Sequence, residues 1–65
     1  MYKIEFEQED DGRWIAEIDE LPGVMVYADS KQQALMKVEA LALRVLAEQL
    51  EQGQTPKQLE QLFAA

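Results

Sequence analysis

The 65-residue chain contains no cysteine and no histidine. The first absence excludes disulfide staples, thiolate zinc sites and cysteine nucleophiles. The second removes the commonest general base, proton shuttle and nitrogen metal ligand. Glycine is sparse: Gly12, Gly23 and Gly53 stand far apart, so no phosphate-cradling loop can be built from them. The single serine, Ser30, sits where a helix begins, and capping accounts for it. No stretch approaches the ~20 apolar residues that span a bilayer. The opening run Met1–Glu7 alternates instead of forming the apolar core of a signal peptide. A cytoplasmic protein without membrane contact is expected.

Thirteen acidic residues face six basic ones, a net charge of −7. Such a field repels phosphate backbones, so direct nucleic-acid binding is not expected and a basic protein partner fits better. With 48% hydrophobic and 29% charged residues the balance is that of a folded domain, not a disordered chain. A chain this short buries only about 60% of its unfolded surface, and natural chains of this size often add a disulfide, a metal or a partner subunit. Association is the support that this composition leaves open.

Tyr2, Ile4 and Phe6 alternate with Lys3, Glu5 and Glu7, the period-2 pattern of a half-buried strand. Trp14, Ala16 and Ile18 repeat the pattern beyond the polar cluster Gln8–Gly12. The two runs predict a β-hairpin whose register follows from side-chain matching. A two-residue turn would set Phe6 against Glu17. A three-residue loop, Asp10–Gly12, sets Phe6 against Ala16 and Ile4 against Ile18. It also matches Glu9 with Arg13 and Lys3 with Asp19. Gly12 supplies the left-handed residue that such a loop needs. The remaining strain is Glu5 opposite Glu17. Leu21-Pro22-Gly23 then predicts a type II turn, and Val24–Ala28 a third strand that is apolar on both faces.

Ser30 followed by Gln33 matches a capping box, and Lys31 to about Gln52 contains no glycine or proline. Gly53 suits the position after the last turn. Thr55, Pro56 and Gln58 predict a short final helix or turn that carries Leu59, Leu62 and Phe63. The expected fold is α+β: a three-stranded antiparallel sheet packed on one long helix, with a short C-terminal helix or turn. Residues 1–65 form one domain, with the core in 1–52 and a short segment in 53–65.

The helix carries more apolar surface than one sheet can cover. Ala34, Leu35, Val38, Leu41, Ala42 and Val45 form one stripe. Met36, Ala40, Leu43, Ala47 and Leu50 form a second, and Leu46 joins the two. Burying Met36, Leu43 and Leu50 is worth about 1.5–3 kcal/mol each. The expectation is self-association, as a homodimer or higher oligomer, through Met36, Leu43, Ala47 and Leu50. Met25 and Tyr27 of the third strand are further contact candidates. The alternative is that Leu59, Leu62 and Phe63 fold over this stripe within one chain.

The acidic residues offer little chemistry. Glu9-Asp10-Asp11 lacks the loop pattern of a calcium site, and a solvated hairpin loop explains it. Asp19, Glu20 and Asp29 have local roles as turn flanks or helix start, and nothing fixes them as an acid/base pair. No catalytic residue, metal site or cofactor is expected. Glu5, Glu7, Glu17 and Asp19 should line the outer face of the hairpin as a partner-binding surface, since opposed potentials speed and select protein association. Trp14 is expected in the core.

The run Asp11-Gly12-Arg13-Trp14-Ile15-Ala16-Glu17-Ile18, continuing through Glu20-Leu21-Pro22-Gly23-Val24, resembles the hairpin and Leu-Pro-Gly turn of HicB-like antitoxins. Tyr27–Leu35 is similar to that family's helix start. Ala28 stands where the family usually has glycine, and only Gly53–Ala65 follow the helix where full-length members carry a DNA-binding domain. The resemblance implies a partial RNase H-like sheet with one long helix. It also implies a non-enzymatic module that binds and neutralises a small basic RNA-cleaving toxin, HicA. Autorepression belongs to the domain not seen here and is not carried over. The alternative is a small oligomeric nucleic-acid-binding protein, since strand-strand-strand-helix orders also occur among RNA-binding folds.

Overall fold

The computed structural model describes residues 2–57 and 59. Three short strands precede one helix: β1 (Glu5–Gln8), β2 (Trp14–Glu17), β3 (Met25–Ala28) and α1 (Lys31–Glu51). The sheet is antiparallel in the order β1-β2-β3, and among the described residues no further strand pairs with β1 or β3. The fold is the α+β arrangement that the sequence pattern predicts.

The hairpin register is the three-residue-loop register. Phe6 faces Ala16 and Glu5 faces Glu17. Glu9 donates its N–H to the Arg13 carbonyl at 2.7 Å, and Gly12 donates to the Glu9 carbonyl at 2.9 Å. Gly12 has φ 90°, a region in which a Cβ is penalised. The two cross-strand charge pairs do not form as the register alone suggests. Arg13 turns back to Asp11, with Nε 2.8 Å from Oδ2. The backbone N–H of Lys3 donates to Glu20 Oε2 at 3.4 Å, and β1 begins only at Glu5.

Between β2 and β3 the chain makes the expected turn. Val24 donates to the Leu21 carbonyl at 3.0 Å, and Gly23 lies at φ 84°. Ile18 donates to the Val24 carbonyl at 3.1 Å, which carries the β2–β3 register one step past the strands. Ser30 caps α1, its Oγ accepting from the Gln33 N–H at 3.1 Å. At the far end Gln54 donates to the Gln49 carbonyl and Gly53 to the Leu50 carbonyl, the paired bonds of a Schellman ending. Leu59 then donates to the Pro56 carbonyl at 3.1 Å, a single tight turn. The alternative in which Leu62 and Phe63 fold over the helix concerns positions outside the described residues.

One core holds the layers together. Ala16, Ile18, Leu21, Val24 and Ala28 on the sheet side meet Ala34, Val38, Ala42 and Leu46 on α1, all buried. Alanines occupy both sides of this contact, so the helix can lie close to the strands. Trp14 is half-buried against this core, together with Tyr2, Ile4 and Phe6. Lys31 extends its ammonium over two of those rings, 4.9 Å from Phe6 and 5.7 Å from Trp14.

Two substitutions check the local account. Ser30→Ala removes the cap and should lower stability by about 1 kcal/mol. Gly23→Ala should cost roughly 1–2 kcal/mol from backbone conformation alone. Beyond its two chain neighbours nothing lies within 4 Å of the added Cβ, so no tertiary clash adds to it. Urea unfolding monitored by helical circular dichroism reads both. Unchanged midpoints would show that neither the cap nor the turn contributes.

Candidate functional site

The outer face of the sheet is built by strand alternation. Residues whose neighbours point into the core must point out. Across the three strands this gives two rows: Glu5, Glu17 and Met25 in one, Glu7, Ile15 and Tyr27 in the next. Asp19 follows Glu17 by two residues and keeps the same side. The face therefore grades from carboxylates on β1 to apolar side chains on β3, where Met25 and Tyr27 are exposed.

The carboxylate oxygens of Glu5, Glu17 and Asp19 all approach within 4.8 Å of one another. Glu7 belongs to the neighbouring row, opposite Ile15, and does not join them. Three of the four expected partner-binding acids are thus brought together. Beside them lies an open hollow of about 370 Å³, walled by Glu17, Asp19, Met25 and the Leu21-Pro22-Gly23 turn. The residue pattern gave no sign of this hollow, because it arises from the path of the loop and not from any one strand.

Such a cluster attracts positive charge. Calcium usually takes six to eight oxygens, and three side chains supply only part of that set. A lysine or arginine side chain meets the arrangement differently: its charged head can sit among the carboxylates while its stem lies against Met25 and the turn.

The far end of the face has a different organisation that sequence reasoning missed. The Asp11 carboxylate accepts from the Arg13 backbone N–H at 3.0 Å and from Arg13 Nε at 2.8 Å. These two bonds hold the Asp11 carboxyl below its ordinary value of 3.8, the backbone bond being the larger cause. The guanidinium so fixed lies 5.0 Å from the centre of the Tyr27 ring. An Asp two residues before Arg, ahead of a strand that pairs with an aromatic one, is the signal that could have found this contact. Arg13 thereby covers part of Tyr27, one of the residues expected in self-association.

The expected self-association residues divide between two surfaces. Met25 and Tyr27 lie on the sheet's outer face. Met36, Leu43, Ala47 and Leu50 lie on the exposed side of α1, with Met36 63% and Leu43 59% accessible. No helix among the described residues is long and apolar enough to cross a membrane.

A family model described as a domain of unknown function, DUF1902, matches residues 1–64. No curated protein and no solved structure matches the chain.

Two measurements follow from this geometry. Glu17→Gln relieves a direct cross-strand repulsion and should raise stability by roughly 0.2–1 kcal/mol. The gain should shrink as salt is added. A thermal midpoint that falls, or does not respond to salt, would contradict the like-charge account. In a carboxyl NMR titration Asp11 should titrate below 3.8. Because its pKa is depressed by folding, the loop contact is complete above the unfolded value and is lost as pH falls through the folded one. Arg13→Ala should return the pKa only part of the way, since the backbone N–H remains.

Proposed function

The chain belongs to this family of unknown function, and we propose that it is a non-enzymatic protein-binding module, a HicB-like antitoxin that neutralises a small basic RNA-cleaving protein by direct binding. The reading is carried by the convergence of Glu5, Glu17 and Asp19 beside the hollow at the Leu-Pro-Gly turn. The resemblance of Asp11–Val24 and Tyr27–Leu35 to the HicB hairpin and helix start supports it from the sequence side.

A ribonuclease needs positive charge to hold an RNA backbone. A surface that gathers carboxylates can meet that same charge and keep RNA away from it. The net charge of −7 draws such a partner in from a distance, and the cluster gives the encounter a preferred place. The hollow adds shape to charge: it admits one extended basic side chain and places its stem against apolar walls. Repulsion among the three carboxylates lowers the stability of the free protein and is relieved when a cation arrives. No chemical step is assigned to this chain; its action is occlusion.

The test uses affinity capture from the native cell with two baits, the wild-type chain and Glu5→Lys/Glu17→Lys/Asp19→Lys. The wild type should retain a small basic ribonuclease, and addition of the chain should stop RNA cleavage at a one-to-one ratio. The reversed variant should lose both effects while keeping its helical spectrum. Retention of no specific protein, or equal retention by both baits, would refute the reading.

A further inference from the structure

The exposed side of α1 has a regular spacing. Met36, Ala40, Leu43, Ala47 and Leu50 recur at alternating intervals of four and three residues, and all five are exposed. This is the heptad seam by which helices pair, set on the side of α1 away from the sheet. We propose that it is covered by the same seam of a second copy, running antiparallel, with Leu43 of one chain against Ala47 of the other.

Size alternation selects the direction. Met36, Leu43 and Leu50 are large, and Ala40 and Ala47 between them are small. An antiparallel pair sets a large residue against an alanine in its central layers, so the two axes stay evenly spaced. A parallel pair would stack leucine on leucine and alanine on alanine, and the alanine layers would be left underfilled. Antiparallel helix dipoles also attract, where parallel ones repel.

Charge selects the register. With Leu43 against Ala47, Ala40 meets Leu50. Lys37 on the flank then comes level with Glu51 of the partner subunit, and two-fold symmetry makes this contact twice. Sliding the helices until Ala40 meets Leu43 would instead bring Lys37 beside Arg44. Among the described residues Lys37 meets the neutral Tyr27 carbonyl, at 3.4 Å, and no carboxylate. The chosen register has one opposing feature: Arg44 meets its own copy near the axis, where it remains exposed. A parallel pair would gain Glu39 beside Arg44, so the directions are separable by experiment. The dimer stands apart from the partner reading, because the acidic face lies on the far side of the sheet and would be displayed twice, outward.

The native chain has no cysteine, so single cysteines report proximity cleanly. Mixed Leu43→Cys and Ala47→Cys chains should crosslink on mild oxidation faster than either alone. Sedimentation of the wild type should give twice the 7.5 kDa chain mass. Lys37→Glu should weaken the dimer about tenfold, and Lys37→Glu/Glu51→Lys should restore it. Leu43→Glu should be a folded monomer that still binds the basic partner, which separates failure of the dimer from failure of the acidic face. Four results would each overturn the proposal: a wild-type monomer at high micromolar concentration, faster crosslinking of Leu43→Cys with itself, preferred crosslinking of Ala40→Cys with Leu43→Cys, or no rescue by the charge swap.

Discussion

A helix laid on a single sheet has one covered side, and the rest of this structure depends on that limit. The covered side is made of Ala34, Val38, Ala42 and Leu46, against Ala16, Ile18, Leu21, Val24 and Ala28. The contact is dry: among the described residues no polar side chain is buried. It is also made largely of small side chains, so its strength comes from close approach more than from volume. A layer this thin cannot reach round the helix. The exposure of Met36, Leu43 and Leu50 on the opposite side of α1 follows from this architecture.

The molecule consequently shows two unlike surfaces on opposite sides. The sheet's outer face is acidic at β1 and β2, and apolar toward the edge of β3. The helix's outer side is apolar along a seam and charged at its flank. The carboxylate cluster works against folding, since Glu5 and Glu17 face each other directly and Asp19 adds a third like charge. In a chain with so small a core, such a load has a stability consequence that a neutral face would avoid. The local contact of Asp11 with Arg13 shows the contrasting case, in which one carboxylate is satisfied and fixes a guanidinium over Tyr27.

Much of the fold was legible because each element carries its own signal. A two-residue turn sets Phe6 against Glu17 and a three-residue loop sets it against Ala16, so matching side chains chose between them. Pro22 and Gly23 left the turn little alternative, and Ser30 marked the helix start. The pairings of Arg13 and Lys3 were not legible. Cross-strand matching pointed Arg13 at Glu9, but Asp11 is two residues away and accepts both its backbone and its side chain. Nearness in sequence overcame nearness across the sheet. Lys3 lies before β1 begins, where strand register no longer governs. Alternation alone makes the acidic face legible, yet it does not separate Glu7, which lies opposite Ile15 and outside the cluster. The hollow was invisible because its wall is the course of the loop from Ile18 to Val24.

In the proposed pairing α1 is shielded on one side by its own sheet and on the other by a second copy. Methyl NMR with a soluble paramagnetic agent, repeated across a dilution series, tests it most directly. Val38 and Leu46 should stay shielded at every concentration. Leu43 and Leu50 should be shielded when concentrated and become accessible together on dilution. If Leu43 and Leu50 keep one accessibility throughout the series, the second side of the helix is not closed by association, and the account fails.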